Sequence, residues 1–321
     1  MNIAVTYNVL PEEKFIYENF PHPEVKFSFL NEIDEDLHIK TLSEADILLA
    51  WNPPRELNEK ELHSLGKIKF VQLLSAGYNH VDLNLFSSDC VIASNQGAYA
   101  EPMAEHTVAM ILALSKRLLI NHQKMMQGEF DQKTPSRTLK DSVCGIIGFG
   151  SIGKAVANIL KNFGTRIFAI NTSGKTDDEV EFIGTLKDIR YVLKNSDIIL
   201  LSIPLDDSTT NLIGKIELEM MKNNAILINV ARAAIINEKD LFEHLKSNPD
   251  FMAGLDAWWI EPFHSGEFRL NFPFLDLPNV LGSPHNSAII SGALFEGQKR
   301  VLENVDRFLN GKELKGIVKR K

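Results

Sequence analysis

The pattern of apolar runs and turn residues predicts an α/β protein built on parallel sheets and divided into two domains. Three observations carry the prediction. In residues 1–95, short β-branched runs alternate with helical stretches. At 142–153 the segment SVCGIIGFGSIG passes from an apolar run, through glycines, into a helix. From 197 onward further apolar runs each end in a group of polar residues. The 321-residue length suits about two domains, each large enough for its own core.

Residues 3–6 form the first strand, and 11–20 read as a helix starting on Pro11, where a missing N–H is tolerated. Strands follow at 25–29 and 45–50. Asn58 caps a helix reaching Leu65, and strands at 70–73 and 90–93 complete the first sheet. After the fourth strand comes Leu74-Ser75-Ala76-Gly77-Tyr78-Asn79-His80, at the C-terminal end of a parallel strand, where α/β sheets bind ligands. The N–H groups of Ser75, Ala76 and Gly77 can bind a carboxylate; a plain turn is the alternative. A long apolar helix over 103–119 then suggests a crossover between domains, and 127–140 is a polar surface loop.

Residues 143–147 read as a buried strand and 154–163 as a helix ending at Gly164. Between them Gly148, Gly150 and Gly153 have G-x-G-x-x-G spacing. The first glycine permits a tight turn, the second close approach of a pyrophosphate, and the third close packing of helix on strand. N–H groups at the helix start, around Ser151 and Ile152, complete a dinucleotide site. The next strand, 166–170, ends in Asn171-Thr172-Ser173-Gly174-Lys175 and not in the acidic residue that accepts ribose hydroxyls. Asn171 repels no phosphate, Thr172 and Ser173 can donate to one, and Lys175 can pair with one. NADP(H) is therefore favoured and NAD(H) remains possible.

Further strands are expected at 197–203, stopped by Pro204, and at 225–229, 252–255 and 280–282, with helices at 186–194, 217–221 and 239–246. An amphipathic helix over 291–309 follows the cofactor domain and can return to the first, making that domain discontinuous. Three strand ends carry Arg232, Glu261 and His285, and strand ends on one sheet converge on one crevice. The trio suits reduction of a 2-keto acid. An arginine grips carboxylate and carbonyl oxygen, a histidine donates the proton, and a glutamate orients the ring and favours imidazolium. Taken singly, the three read as a helix cap, a solvated charge and a core histidine. The remaining histidines show no metal-ligand spacing.

Composition is 44% hydrophobic and 24% charged, with net charge −8 and no basic block, which argues against nucleic acid or an anionic membrane as partner. No apolar run reaches the length of a membrane span, and the opening MNIAVTY reads as a strand and not a signal peptide. Two cysteines make no disulfide framework, which fits a cytoplasmic protein; Cys144 lies within the buried run as a small core residue.

The chain carries Ser75-Ala76-Gly77 with Val81-Asp82, Asn95-Gln96-Gly97, Ala104-Glu105-His106-Thr107 and the glycine turn. It continues with Ser196-Asp197-Ile198, Ile203-Pro204-Leu205, Asn229-Val230-Ala231-Arg232, Gly254-Leu255-Asp256, Glu261-Pro262, and Pro278-Asn279-Val280 through Pro284-His285-Asn286. In these it resembles the D-isomer-specific 2-hydroxyacid dehydrogenase family over nearly its whole length. The resemblance implies two Rossmann-like domains: a flavodoxin-like substrate domain from 1–98 plus 289–321, and a doubly wound cofactor domain from 99–288. It implies Arg232 as substrate binder, Glu261 and His285 as the acid/base pair, Ser75 to Gly77 on the substrate carboxylate, and Asp256 on the nicotinamide carboxamide. Pro204 and Ala231 join the expected cofactor contacts, and a homodimer through the cofactor domain is implied.

Three departures stand out: Asn171 for the usual Asp, Ala233 for the usual Gly, and the bulky Trp258-Trp259, which either narrow the substrate pocket or pack an interface. The expected activity is reduction of a small 2-keto acid, such as glyoxylate or hydroxypyruvate, to the D-hydroxy acid. Alternatives of the same fold are a formate dehydrogenase, against which Glu261 speaks, a phosphite dehydrogenase, and a non-catalytic NAD(H)-sensing protein. A dehydrogenase of a phosphorylated hydroxy acid, such as phosphoglycerate or erythronate 4-phosphate, would need more cations than His80 supplies.

Overall fold

The computed structural model describes residues 1–78 and 81–318, so Asn79 and His80 of the expected substrate loop lie outside the described residues. The chain divides into two compact units: 1–99 with the stretch from Ile290 onward, and 100–289.

In the first unit, β1 (Asn2–Val5), β2 (Lys26–Phe29), β3 (Ile47–Ala50), β4 (Phe70–Leu73) and β5 (Val91–Ala93) form one sheet in the order β2-β1-β3-β4-β5. Every pairing is parallel, and the order is flavodoxin-like. β3 and β4 are buried at every position, as strands covered on both faces must be. One face packs against Leu42, Leu57, Leu65 and Phe86. The other takes Val301, Leu302 and Val305 of the helix Ala293–Leu309, with Phe308 stacked on Phe70 at 4.6 Å between ring centroids. The unit is thus assembled from two separate stretches of chain.

Asn58 caps the helix Glu59–His63 through a full capping box with Glu61. The same Glu61 receives His38 Nδ1 at 2.8 Å, while His38 Nε2 faces the Leu30 carbonyl at 2.8 Å. Both ring nitrogens face acceptors, an arrangement that only the imidazolium satisfies. Burial of the ring opposes its charge, but the Glu61 hydrogen bond and the Leu30 and Ile33 carbonyls outweigh it and raise the pKa above the ordinary histidine value. A raised folded pKa stabilises the unit fully below the unfolded value of about 6.5, and that stabilisation is lost as pH rises through the folded value. Thermal melts of the parent and of His38→Gln should therefore converge with increasing pH. A gap between the two that is constant across this window would sink the assignment.

The stretch 11–20 departs from the expected helix. It forms a 3-10 turn at Pro11–Glu13 and a single helical turn at Phe15–Glu18 that buries only Tyr17, too little apolar surface for a longer helix. The helix Glu35–Glu44, absent from the sequence expectation, buries only Leu42 and so has no apolar stripe to read.

In the second unit, β6 (Val143–Ile147), β7 (Arg166–Ile170), β8 (Phe182–Gly184), β9 (Ile198–Leu201), β10 (Ile226–Asn229), β11 (Met252–Leu255) and β12 (Val280–Gly282) form a sheet ordered β12-β11-β10-β9-β6-β7-β8. All pairings are parallel, and the order reverses at β6, which defines a doubly wound sheet with its switch point between β6 and β9. Helices Ala100–Ser115 and Ser151–Lys161 cover one face. Leu218 and Leu241, with Trp258 and Phe274, cover the other. The expected helix over 103–119 ends at Ser115, because Arg117 adopts φ +53°, and a second helix runs Leu118–Met126. No helix among the described residues is long and apolar enough to cross a membrane.

Candidate active site

The second unit's switch point is built by the glycine turn. Gly148 has φ +105°, and a Cβ there would lie 2.5 Å from the Ser202 carbonyl carbon and the Ile203 nitrogen. Ser202 Oγ donates to the Gly148 carbonyl at 2.9 Å, so the ends of β6 and β9 are clasped together. A Cβ on Gly153 would meet the Gly148 carbonyl oxygen at 2.7 Å. On Gly150 it would meet nothing within 4 Å. Gly150 is also the N-cap of the helix Ser151–Lys161 and offers it no side-chain acceptor, leaving open space beside helix N–H groups that fits a pyrophosphate. Ser151 and Ile152 open that helix, and Pro204 is exposed just beyond β9.

Beyond β7, Asn171 turns inward on its own loop. Its Oδ1 accepts Ser173 N at 3.1 Å, Ser173 Oγ at 3.2 Å and Gly174 N at 2.7 Å, and its Nδ2 donates to the Lys175 carbonyl at 2.8 Å. Thr172, Ser173 and Lys175 are exposed. Two carboxylates follow: Asp177 is exposed, and Asp178 is paired with Lys154 at 2.7 Å, a hydrogen bond that holds it below the usual carboxylate range.

Beyond β10, Asn229 shapes the turn that presents Arg232. Its Oδ1 accepts Ala231 N at 3.0 Å and its Nδ2 donates to the Arg232 carbonyl at 3.0 Å. Burial lowers the pKa of the Arg232 guanidinium, and the Glu261 charge opposes that shift. A guanidinium stays protonated at neutral pH regardless. Glu261 is 3% exposed. Its carboxylate accepts Trp258 N at 3.2 Å and faces His285 Nδ1 through both oxygens at 2.9 Å. The Nδ1 proton is therefore held on the carboxylate side, and Nε2 becomes the ring's working end. His285 itself has φ +51°, a left-handed conformation that costs an L residue roughly 1–3 kcal/mol.

Asp256, fully buried beyond β11, faces the same loop. Its Oδ1 accepts Ser283 Oγ at 2.6 Å and Asn286 N at 3.1 Å, and its Oδ2 accepts Ser287 N at 3.3 Å. A carboxylate offers about four acceptor sites, so one is left for a further donor such as a carboxamide. The structure thus brings Arg232, Asp256, Glu261 and His285 to neighbouring strand ends of one sheet.

Residues 108–287 match the family described as D-isomer specific 2-hydroxyacid dehydrogenase, NAD binding domain. The chain belongs to the D-isomer specific 2-hydroxyacid dehydrogenase family. A glyoxylate reductase of Thermococcus litoralis is 30% identical over 263 residues, 79% of this chain and 76% of the relative. A hydroxypyruvate reductase of Thermotoga maritima is 29% identical over 273 residues, 84% of this chain and 85% of that protein. Among solved structures, a family member from Aeromonas salmonicida superposes with a TM-score of 0.81 at 24% identity, covering 99% of this chain and 98% of its own. The protein is an oxidoreductase of the 2-hydroxyacid dehydrogenase type that uses a nicotinamide cofactor.

In this dehydrogenase the Ser75–Gly77 turn follows β4 of the first unit. Ser75 is 9% exposed, and its hydroxyl donates to the Gly77 carbonyl at 2.8 Å, which closes the turn. Trp258 and Trp259 pack in the core of their own unit. Their indole N–H groups donate to the Ser283 carbonyl at 2.8 Å and the Ile236 carbonyl at 3.1 Å, and Trp259 stacks on Phe274 at 5.4 Å. Ala233 is buried and starts a 3-10 turn directly after Arg232. No group of His, Cys, Asp or Glu among the described residues is arranged to hold a metal ion. Sequence reasoning assigned no role to His106 and did not connect Ser283 to Asp256. The only signal was that both stand in motifs shared with the family.

Proposed function

We propose that this dehydrogenase reduces a small, unphosphorylated 2-keto acid of the glyoxylate or hydroxypyruvate type to the D-2-hydroxy acid, with NADP(H) favoured over NAD(H). The observation that carries the reading is the buried Glu261 carboxylate holding His285 Nδ1 through both oxygens. When bound, the reduced nicotinamide supplies the hydride. Arg232 grips the substrate carboxylate and polarises the carbonyl oxygen. His285 Nε2 hands its proton to that oxygen, and Glu261 stabilises the imidazolium and keeps the ring oriented. Asp256 offers its remaining acceptor site to the carboxamide, and the Ser75–Gly77 backbone binds a carboxylate. The relatives named above support the substrate class.

Gly148, Gly150, Ser151, Ile152 and Gly153 hold the pyrophosphate in this reading, flanked by Pro204 and Ala231. Cofactor preference follows from Asn171. Its acceptor oxygen already takes three protein donors, and its uncharged amide does not repel a 2′-phosphate as a carboxylate at that position would. A homodimer is supported by the apolar side chains of the second unit left in solvent, Leu118 at 58%, Met125 at 60%, Met126 at 76% and Phe130 at 74% exposure.

The test is loss of reduced-nicotinamide absorbance with NADPH and NADH separately, against glyoxylate, hydroxypyruvate, pyruvate and a phosphorylated keto acid. Turnover fastest with a small unphosphorylated acid is the expected result. Turnover confined to the phosphorylated acid would replace the substrate class, and binding of nucleotide without any turnover would favour a sensing protein. In the same assay Asn171→Asp is expected to move the kcat/KM ratio towards NADH by about 1–2 kcal/mol, or roughly fivefold to thirtyfold, because the new carboxylate accepts ribose hydroxyls and repels phosphate. An unmoved ratio would remove Asn171 from cofactor selection.

A further inference from the structure

We propose that Ser283 and His106 are positioning residues for the His285 proton donor, acting through Asp256. The proposal rests on the role given to His285 above. A serine hydroxyl has one proton, and at 2.6 Å from Asp256 Oδ1 that of Ser283 goes to the buried carboxylate. His106 Nε2 lies 3.0 Å from the same Oγ, so it must donate, which fixes the Nε2–H tautomer of a histidine whose ring has no other assigned task. The result is a directed chain, His106 Nε2–H to Ser283 Oγ–H to Asp256. Asp256 then takes Asn286 N and Ser287 N on its far side.

Both flanks of His285 are therefore fastened to one fully buried carboxylate. Ser283 is held further, its N–H on the Leu255 carbonyl at 2.9 Å and its carbonyl on Trp258 Nε1 at 2.8 Å. Between these fastenings His285 keeps φ +51°, a conformation that an L residue holds only when its neighbours leave it no alternative. Without the Ser283 hydroxyl, Asp256 loses a short bond and His106 loses its acceptor. Position 283 then keeps its backbone bonds to Leu255 and Trp258 but loses its tie to the Asp256 carboxylate, and the His285 ring drifts off the Glu261 carboxylate.

The test uses two pairs of variants of the whole enzyme. Ser283→Ala and His106→Leu break the chain. Ser283→Thr keeps the hydroxyl, and His106→Gln keeps an N–H near the place of Nε2. The broken pair should lose kcat by about tenfold to a hundredfold with a smaller change in KM, since misplacing a reacting group slows the chemical step. The conservative pair should stay within about threefold of the parent. Undiminished kcat in the broken pair would overturn the proposal, as would equal losses in both pairs, which would mean a packing role. Should Ser283→Ala fail to fold, His106→Leu carries the test, because that ring is 26% exposed and leaves little cavity.

A second readout needs no turnover. Nitrogen-15 NMR of the histidine rings should show His106 as the Nε2–H tautomer and a protected His285 Nδ1–H that is lost in Ser283→Ala and kept in Ser283→Thr. The opposite tautomer, or a His285 signal indifferent to Ser283→Ala, would overturn the chain. If the parent reduces no keto acid, the functional reading fails by itself and these spectra still decide the network.

Discussion

His285→Ala is expected to lower kcat by roughly 10²–10⁴-fold, the contribution of a positioned general acid. The physical ground is the way the ring is held. Nδ1 faces both oxygens of a carboxylate that is 3% exposed, so the ring is oriented and its charged form has a partner. Alanine deletes the proton carrier and, as another L residue, holds the φ of +51° at a similar backbone cost, so the strain at this position is unchanged. The glycine turn is untouched, and nucleotide affinity, followed by fluorescence titration, should change little. Glu261→Gln should be nearly as damaging for a different reason. A neutral amide cannot stabilise the imidazolium as the carboxylate does, so the charged ring that donates from Nε2 is less populated. Turnover of His285→Ala at the parental rate would take His285 out of the reaction.

The second large effect is expected at the glycine turn. Gly148→Ala places a Cβ 2.5 Å from backbone atoms of Ser202 and Ile203 at φ +105°, and backbone cannot swing aside as a side-chain tip can. Overpacking and the strained backbone together should cost about 3–5 kcal/mol. For a unit of this size that is a fall in Tm of roughly 6–20 °C. Gly150→Ala is the informative partner, because its Cβ enters open space. It should melt like the parent yet bind nucleotide about tenfold or more weakly, since the methyl occupies the approach of the pyrophosphate. Equal melting of both variants, or unchanged affinity in Gly150→Ala, would contradict the reading of the turn.

These contrasts show which parts of the molecule were legible in the sequence. The run 143–147, the turn after it and the strand at 70–73 lie where expected, because a buried parallel strand is apolar at every position and glycine spacing marks the turn. The Asn58 cap was legible because its mechanism is local. The break at Arg117 was not, since an apolar stretch continues on both sides of it and nothing in residue type forces φ +53° there. β8 is a three-residue edge strand, below the length at which alternation can be seen. Within the site, Arg232, Glu261 and His285 could be named from strand ends. The fastening of Ser283 to His106, 177 residues away, depends on packing of a helix on a sheet that no spacing encodes.

The split construction of the first unit has a consequence for synthesis. Its five strands are complete by Ala93, yet the helix that covers one face of them, Ala293–Leu309, is separated from them by the whole second unit, roughly 190 residues. At ~5–20 residues per second a ribosome takes roughly 10–40 s to make that intervening stretch. Throughout that interval Phe70, Leu49 and Val5 wait without Val301, Leu302 and Val305. The second unit, continuous in the chain, can close its own core first. The nascent chain thus carries a half-covered sheet while its later-born neighbour is already folded, and it is this early, uncovered sheet that a chaperone would be called on to shield.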